Sequence, residues 1–111
     1  MTADQPIRPA ATVILWRASP AGPEVLMGQR GQAAVFMPSK YVFPGGGVDD
    51  GDHADPLPLS DLCAARLRLR NDGPPPETLA GTALRELAEE TGLAFAPDGR
   101  MRFVFRAITP P

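Results

Sequence analysis

The feature that most constrains this chain is a proline-free run from Glu77 to Gly92 that ends Arg85-Glu86-Leu87-Ala88-Glu89-Glu90-Thr91-Gly92-Leu93. Pro74, Pro75 and Pro76 stand just before it, where a missing N–H costs a helix least. Gly92 stands where a left-handed residue would stop the last turn. At about 100° per residue, Ala80, Ala83, Leu84, Leu87 and Thr91 fall on one arc, and Glu86, Glu89 and Glu90 on another. The spacing predicts an amphipathic helix whose three carboxylates point away from the core together. Unpaired, like charges three or four apart cost a few tenths of a kcal/mol per pair, roughly.

Two arrangements relieve that repulsion. One is a solvated acidic face with Arg85 pairing Glu89 at i, i+4. The other is a hard divalent cation, since Mg²⁺ takes oxygen ligands and keeps positions open for water and substrate phosphate. The wider pattern favours the second. Glu77, seven intervening residues, then Arg85, Glu86, Leu87, Glu89, Glu90, Gly92 and Leu93 resemble the Nudix hydrolase signature G-x5-E-x7-R-E-U-x-E-E-x-G-U, with U a bulky aliphatic residue. Six required identities would coincide by chance on the order of once in ten million, at average composition.

The opening glycine of the signature is displaced. Six positions before Glu77 stands Asn71, whereas Phe43-Pro44-Gly45-Gly46, the run that precedes the family's box, lies far upstream. Residues 47–76, thirty in all, fill a gap that normally holds five. They read as an insertion within the box of a single domain spanning 1–111. A rival alignment puts Asp52, which follows Gly46 after five intervening residues, in the place of the first acid instead of Glu77.

Within the insertion, Asp49-Asp50-Gly51-Asp52-His53-Ala54-Asp55 resembles a calcium loop but lacks the glycine and terminal glutamate that an EF-hand needs. His53 reads as a solvated loop residue. Residues 59–69 carry Leu59, Leu62, Ala65 and Leu69 at helical spacing, with Ser60 or Asp61 available as a cap. Arg66, Arg68 and Arg70 would then form an exposed basic face, or line a pocket for an anion.

Outside the box, 11–17 and 24–30 are short apolar runs joined by a Pro- and Gly-containing loop, which predicts a β-hairpin. Residues 40–43 predict a further short extended piece. Gly45, Gly46 and Gly47 then read as a backbone-exposed loop beside phosphate. Gly81 interrupts the acidic helix at a cost of about 1 kcal/mol relative to alanine, which a close helix-to-sheet contact would explain. Residues 100–108 predict another strand.

At 111 residues the chain is at most one domain. No window is apolar and long enough for a membrane span or a secretory signal, so a cytoplasmic protein is expected. Cys63 is alone, which excludes a disulfide framework and a thiolate zinc cluster. A net charge of −2 argues against general nucleic-acid binding. Nothing here fixes assembly, and a homodimer stays open.

What the resemblance implies is specific. The fold would be an α/β/α sandwich around a mixed sheet, of which this chain holds an incomplete part, through the box and one further strand. The activity would be hydrolysis of a nucleoside diphosphate linked to another group X, with Mg²⁺ or Mn²⁺ as cofactor. Glu86, Glu89 and Glu90 would be metal ligands, Glu86 also a candidate base, Arg85 an orienting ion-pair partner, and Glu77 a support of the loop-helix junction. Gly45 and Gly46 would form the phosphate-side loop, and Arg30 would contact substrate.

For the substrate, Leu26, Arg30, Phe43, Pro44, Gly45, Gly46 and Asp49 fit the coenzyme A diphosphatase signature. Val35, Met37, Ser39 and Tyr41 depart from it where that signature has Arg, His, Gly and Val. A box interrupted by an insertion is similar to the Nudix 19 type of acyl-coenzyme A diphosphatase. The reading leans towards coenzyme A derivatives over nucleotide sugars, dinucleotides or oxidised nucleotides. Met27 and Met37 are available to an acyl chain, although core packing is the simpler role. Two further readings are a catalytically silent domain that binds or senses a nucleotide, and an inactive fragment of an enzyme.

Overall fold

The computed structural model describes residues 8–29, 40–69, 72–96 and 98–107. Its order is β1 (Ala10–Thr12), β2 (Trp16–Arg17), β3 (Glu24–Val25), β4 (Gly28–Gln29), β5 (Tyr41–Val42), β6 (Gly45–Gly47), α1 (Asp61–Arg68) and α2 (Pro76–Thr91). The six strands form three antiparallel pairs: β1 with β6, β2 with β3, and β4 with β5. The only parallel pairing among the described residues is an isolated bridge between Leu59 and Met101.

The expected hairpin is present but divided. Trp16 faces Val25 and Arg17 faces Glu24, closed by a turn in which Ser19 and Gly22 exchange backbone hydrogen bonds and Gly22 takes φ 120°. The first part of the apolar run leaves this ladder and pairs with β6 instead, Ala11 opposite Gly46 and Thr12 opposite Gly45. The glycine run is therefore a strand, which corrects the loop expected there. None of its three residues has positive φ. What the site requires of them is the absence of a side chain: a Cβ on Gly45 would meet the Ala11 carbonyl oxygen at 2.5 Å.

Helix α2 packs over β1 and β6, with α1 against its flank. Its buried residues are Pro76, Ala80, Gly81, Thr82, Ala83 and Leu87. Leu87, 1% exposed, anchors this core; truncating such a leucine to alanine costs about 2–5 kcal/mol. Pro76 opens the helix and Gly92, at φ 77°, closes it through a bond from its N–H to the Ala88 carbonyl, as the sequence predicts.

Ser60 caps α1, its hydroxyl accepting from the Cys63 N–H at 3.1 Å. The buried face of this helix is Ala64 and Leu67, not the Leu62 and Leu69 that the spacing favours; those two are 60% and 66% exposed. Arg106 turns the helix end, donating to the carbonyls of Leu67 and Leu69, which suits a cation at a helix C-terminus. The expected strand at 100–108 is absent from its described part. Only Met101 pairs, and Val104 and Phe105 remain 66% and 71% exposed because no described strand lies beside them. No described helix is long and apolar enough to cross a membrane.

Candidate active site

Arg85 is the hub of the site. Its Nε donates to Asp52 Oδ1 at 2.7 Å and its Nη2 to Asp52 Oδ2 at 3.0 Å, a two-pronged pair across 33 residues. Nη2 also donates to the Gly47 carbonyl at 2.9 Å, tying helix α2 to β6. Nη1 faces the other way, reaching Glu86 Oε1 at 3.2 Å and Glu89 Oε2 at 2.9 Å. One guanidinium thus holds Asp52 on one edge and, on the other, the helix acids Glu86 and Glu89 together with Asp49 at 3.5 Å.

The glutamates do not share one solvated face, as the helix wheel had them. Glu89 is more than half exposed, whereas the Glu86 side chain retains only 17% exposure. Glu86 lies against β6 because Gly46 has no Cβ to exclude it; its Cδ would be 2.5 Å from one. Glu90 accepts from the Gly45 N–H at 3.1 Å. Burial raises the proton affinity of Glu86, opposed by Arg85 and reinforced by the charges of Glu90 and Glu89. Asp52 moves the other way: its hydrogen bonds from Arg85 outweigh burial and hold its carboxyl well below the usual carboxylate range.

Glu77 is elsewhere. It sits in the first turn of α2, pairs with Arg68 at 3.2 Å, and its carbonyl accepts from the Ala54 N–H at 2.9 Å. Its side chain makes no bond to Arg85, and the acid in that place is Asp52. Asp52 is also the acid of the rival alignment, with five residues between it and Gly46. Thr82 is a member of the network that the sequence reading missed, its hydroxyl 2.7 Å from Asp52 Oδ2. The available signal was Gly81-Thr82, a pair of poor helix formers inside the helix. Gly81 does mark a close approach, but to the backbone of His53 and not to a sheet. Arg30 and Met37 lie outside the described residues.

Among the described residues, no group of three or more His, Cys, Asp or Glu side chains is arranged to hold a metal ion. The chemistry of the donors nevertheless suits a hard divalent cation. Glu86, Glu89 and Glu90 offer oxygen alone.

The crystal structure of a Nudix hydrolase from Alicyclobacillus acidocaldarius resembles this chain, with 32% identity and a TM-score of 0.62 over 89% of it. The fold is that of the Nudix superfamily. The chain spans 45% of that solved structure. No protein-family model matches it. In this chain Arg85, on helix α2, takes Asp52 as its acid partner.

Proposed function

We propose that the chain belongs to a Nudix hydrolase that cleaves the pyrophosphate bond of a nucleoside diphosphate linked to X. The observation that carries this reading is the Arg85 guanidinium, fixed by Asp52 and holding Glu86 and Glu89 beside β6. Glu86, Glu89 and Glu90 would hold Mg²⁺ or Mn²⁺, which would lower the pKa of a water and offset charge on the pyrophosphate oxygens. Glu86, whose proton affinity is raised by burial, would be the candidate base for that water. Arg85 keeps it facing β6, where Gly46 leaves room for close approach. Within this reading Asp52, more than Glu77, takes the part of the first acid of the box.

Coenzyme A or an acyl-coenzyme A is the substrate class favoured, supported by the spacing of Leu26, Arg30, Gly45, Gly46 and Asp49. A screen of coenzyme A thioesters, NADH, ADP-ribose and nucleoside triphosphates with Mg²⁺ and with Mn²⁺ tests both levels. Release of the acylated 4′-phosphopantetheine and adenosine 3′,5′-bisphosphate from the thioester supports the whole proposal. Cleavage of another class refutes coenzyme A alone, and nucleotide binding without turnover replaces the enzyme with a binding domain.

A further inference from the structure

Thr82 lies at the centre of helix α2 with none of its surface exposed. Its Oγ1 is 2.7 Å from Asp52 Oδ2 and 3.0 Å from the Thr78 carbonyl. A hydroxyl has one proton to give, and the nearer, charged carboxylate is the stronger acceptor. Around Asp52 the other donors are Arg85 and the Asp49 N–H. Asp49 is itself on the exposed loop and Arg85 reaches Asp52 from the end of a long, partly exposed side chain, so among the described donors Thr82 is the short, fully buried one that ties Asp52 to the helix.

The neighbouring residue makes this contact reachable. At Gly81 the backbone of His53 comes so close that a Cβ would overlap it. Ala54 is tied to the first turn of α2 by the bond to the Glu77 carbonyl. Gly81 and Thr82 together therefore seat the chain at 52–54 on the helix.

We propose that Thr82 is a positioning residue for the carboxylate site: it sets the plane of Asp52, which sets Arg85, which sets Glu86 and Glu89. The guanidinium is planar, so turning the edge that meets Asp52 also turns Nη1 on the opposite side. This deepens the proposed function and rests on it only where the site's role in hydrolysis is concerned. The competing account is that the hydroxyl serves only its own helix, bonding back to Thr78.

The test compares Thr82→Val, which keeps the shape and removes the hydroxyl, with Thr82→Ser, which keeps the hydroxyl. Two readouts do not depend on turnover: water exchange of the Arg85 Nε–H by NMR, and Mn²⁺ affinity by water proton relaxation. Both are taken at temperatures where melting curves show every variant folded. Thr82→Val is expected to speed Arg85 exchange and weaken Mn²⁺ by about 10–100-fold, the usual range for a lost supporting hydrogen bond. Thr82→Ser should stay close to the parent. In an Asp52→Ala background, Thr82→Val should add nothing.

Unchanged Arg85 exchange in Thr82→Val would overturn the proposal. So would equal losses in the Val and Ser variants, or a full effect persisting in Asp52→Ala. Should Thr82→Val not fold, Thr82→Ala replaces it, removing the hydroxyl without placing a methyl beside the carboxylate. Hydrolysis is measured separately: absence of turnover in the parent protein counts against the hydrolase reading, while Arg85 exchange still decides the role of Thr82.

Discussion

The carboxylate of Glu86 rests on the bare α-carbon of Gly46, in the space that a methyl group would fill. Strand and helix are matched there by what the strand lacks. The same kind of match recurs between Gly81 and His53 with a different neighbour, and the difference sets two outcomes apart.

At Gly46 the obstructing atoms are the end of a side chain that can swing away. Gly46→Ala is expected to leave the melting temperature nearly unchanged while displacing Glu86, so that Mn²⁺ affinity and turnover fall together. A calorimetric scan beside a Mn²⁺ titration checks this; a large loss of stability with normal affinity would contradict it.

At Gly81 the obstructing atoms are backbone. Gly81→Ala gains about 1 kcal/mol of helix propensity but must push the His53 segment off the helix, an overpacking cost of about 1–3 kcal/mol. Net destabilisation is expected, together with weaker protection of the Ala54 amide in hydrogen exchange. A stabilised variant would show that the loop yields freely.

Asp52 gives the stability curve an acid limb. Its folded pKa is lowered below the unfolded value of about 3.9. The contribution is therefore complete above that unfolded pKa and is lost as pH falls through it towards the folded one. Melting temperature should drop below about pH 4 in the parent, and the Asp52→Asn variant should lose that part of the slope. Parallel acid limbs in the two proteins would refute the assignment.

Glu86 has the opposite sign. Burial raises its folded pKa, so its ionisation costs stability once pH rises above its unfolded value, about 4.3. At neutral pH, Glu86→Gln is expected to raise the melting temperature measured without metal and to abolish Mg²⁺-dependent hydrolysis. A variant that melts lower in metal-free buffer would contradict the first part, and retained turnover the second.

Glu77 and Asp52 can be separated directly. The Glu77–Arg68 pair is partly exposed, and such pairs contribute about 0–1 kcal/mol. Glu77→Gln should change Mn²⁺ affinity little, whereas Asp52→Asn should weaken it by about 10–100-fold. Equal effects in a side-by-side titration would restore Glu77 to the site.

Helix α2 was legible because its information is local: prolines at one end, a left-handed glycine at the other, and one arc of small and apolar residues between them. The roles around Arg85 were less so. Periodicity places Glu86 on a polar arc, and only the glycine strand beneath it shows why that arc is partly buried. Asp52 was visible only as an alternative alignment, since nothing in the spacing decides between two acids competing for one arginine. In α1 the apolar pattern runs around the helix, and tertiary packing selected Ala64 and Leu67. The region after Gly92 carries strand-forming residues, yet a strand is defined by its neighbour, and among the described residues of this region only Met101 has one.

That single bridge has a kinetic meaning. Leu59 and Met101 flank both helices, and the Met101 N–H donates to the Pro58 carbonyl at 2.6 Å. Closing a loop of this length spends chain entropy before any contact repays it, so the bridge is expected to form late in folding and to open early in unfolding. The Met101 amide would then act as an early sentinel, exchanging its proton while α2 is still intact.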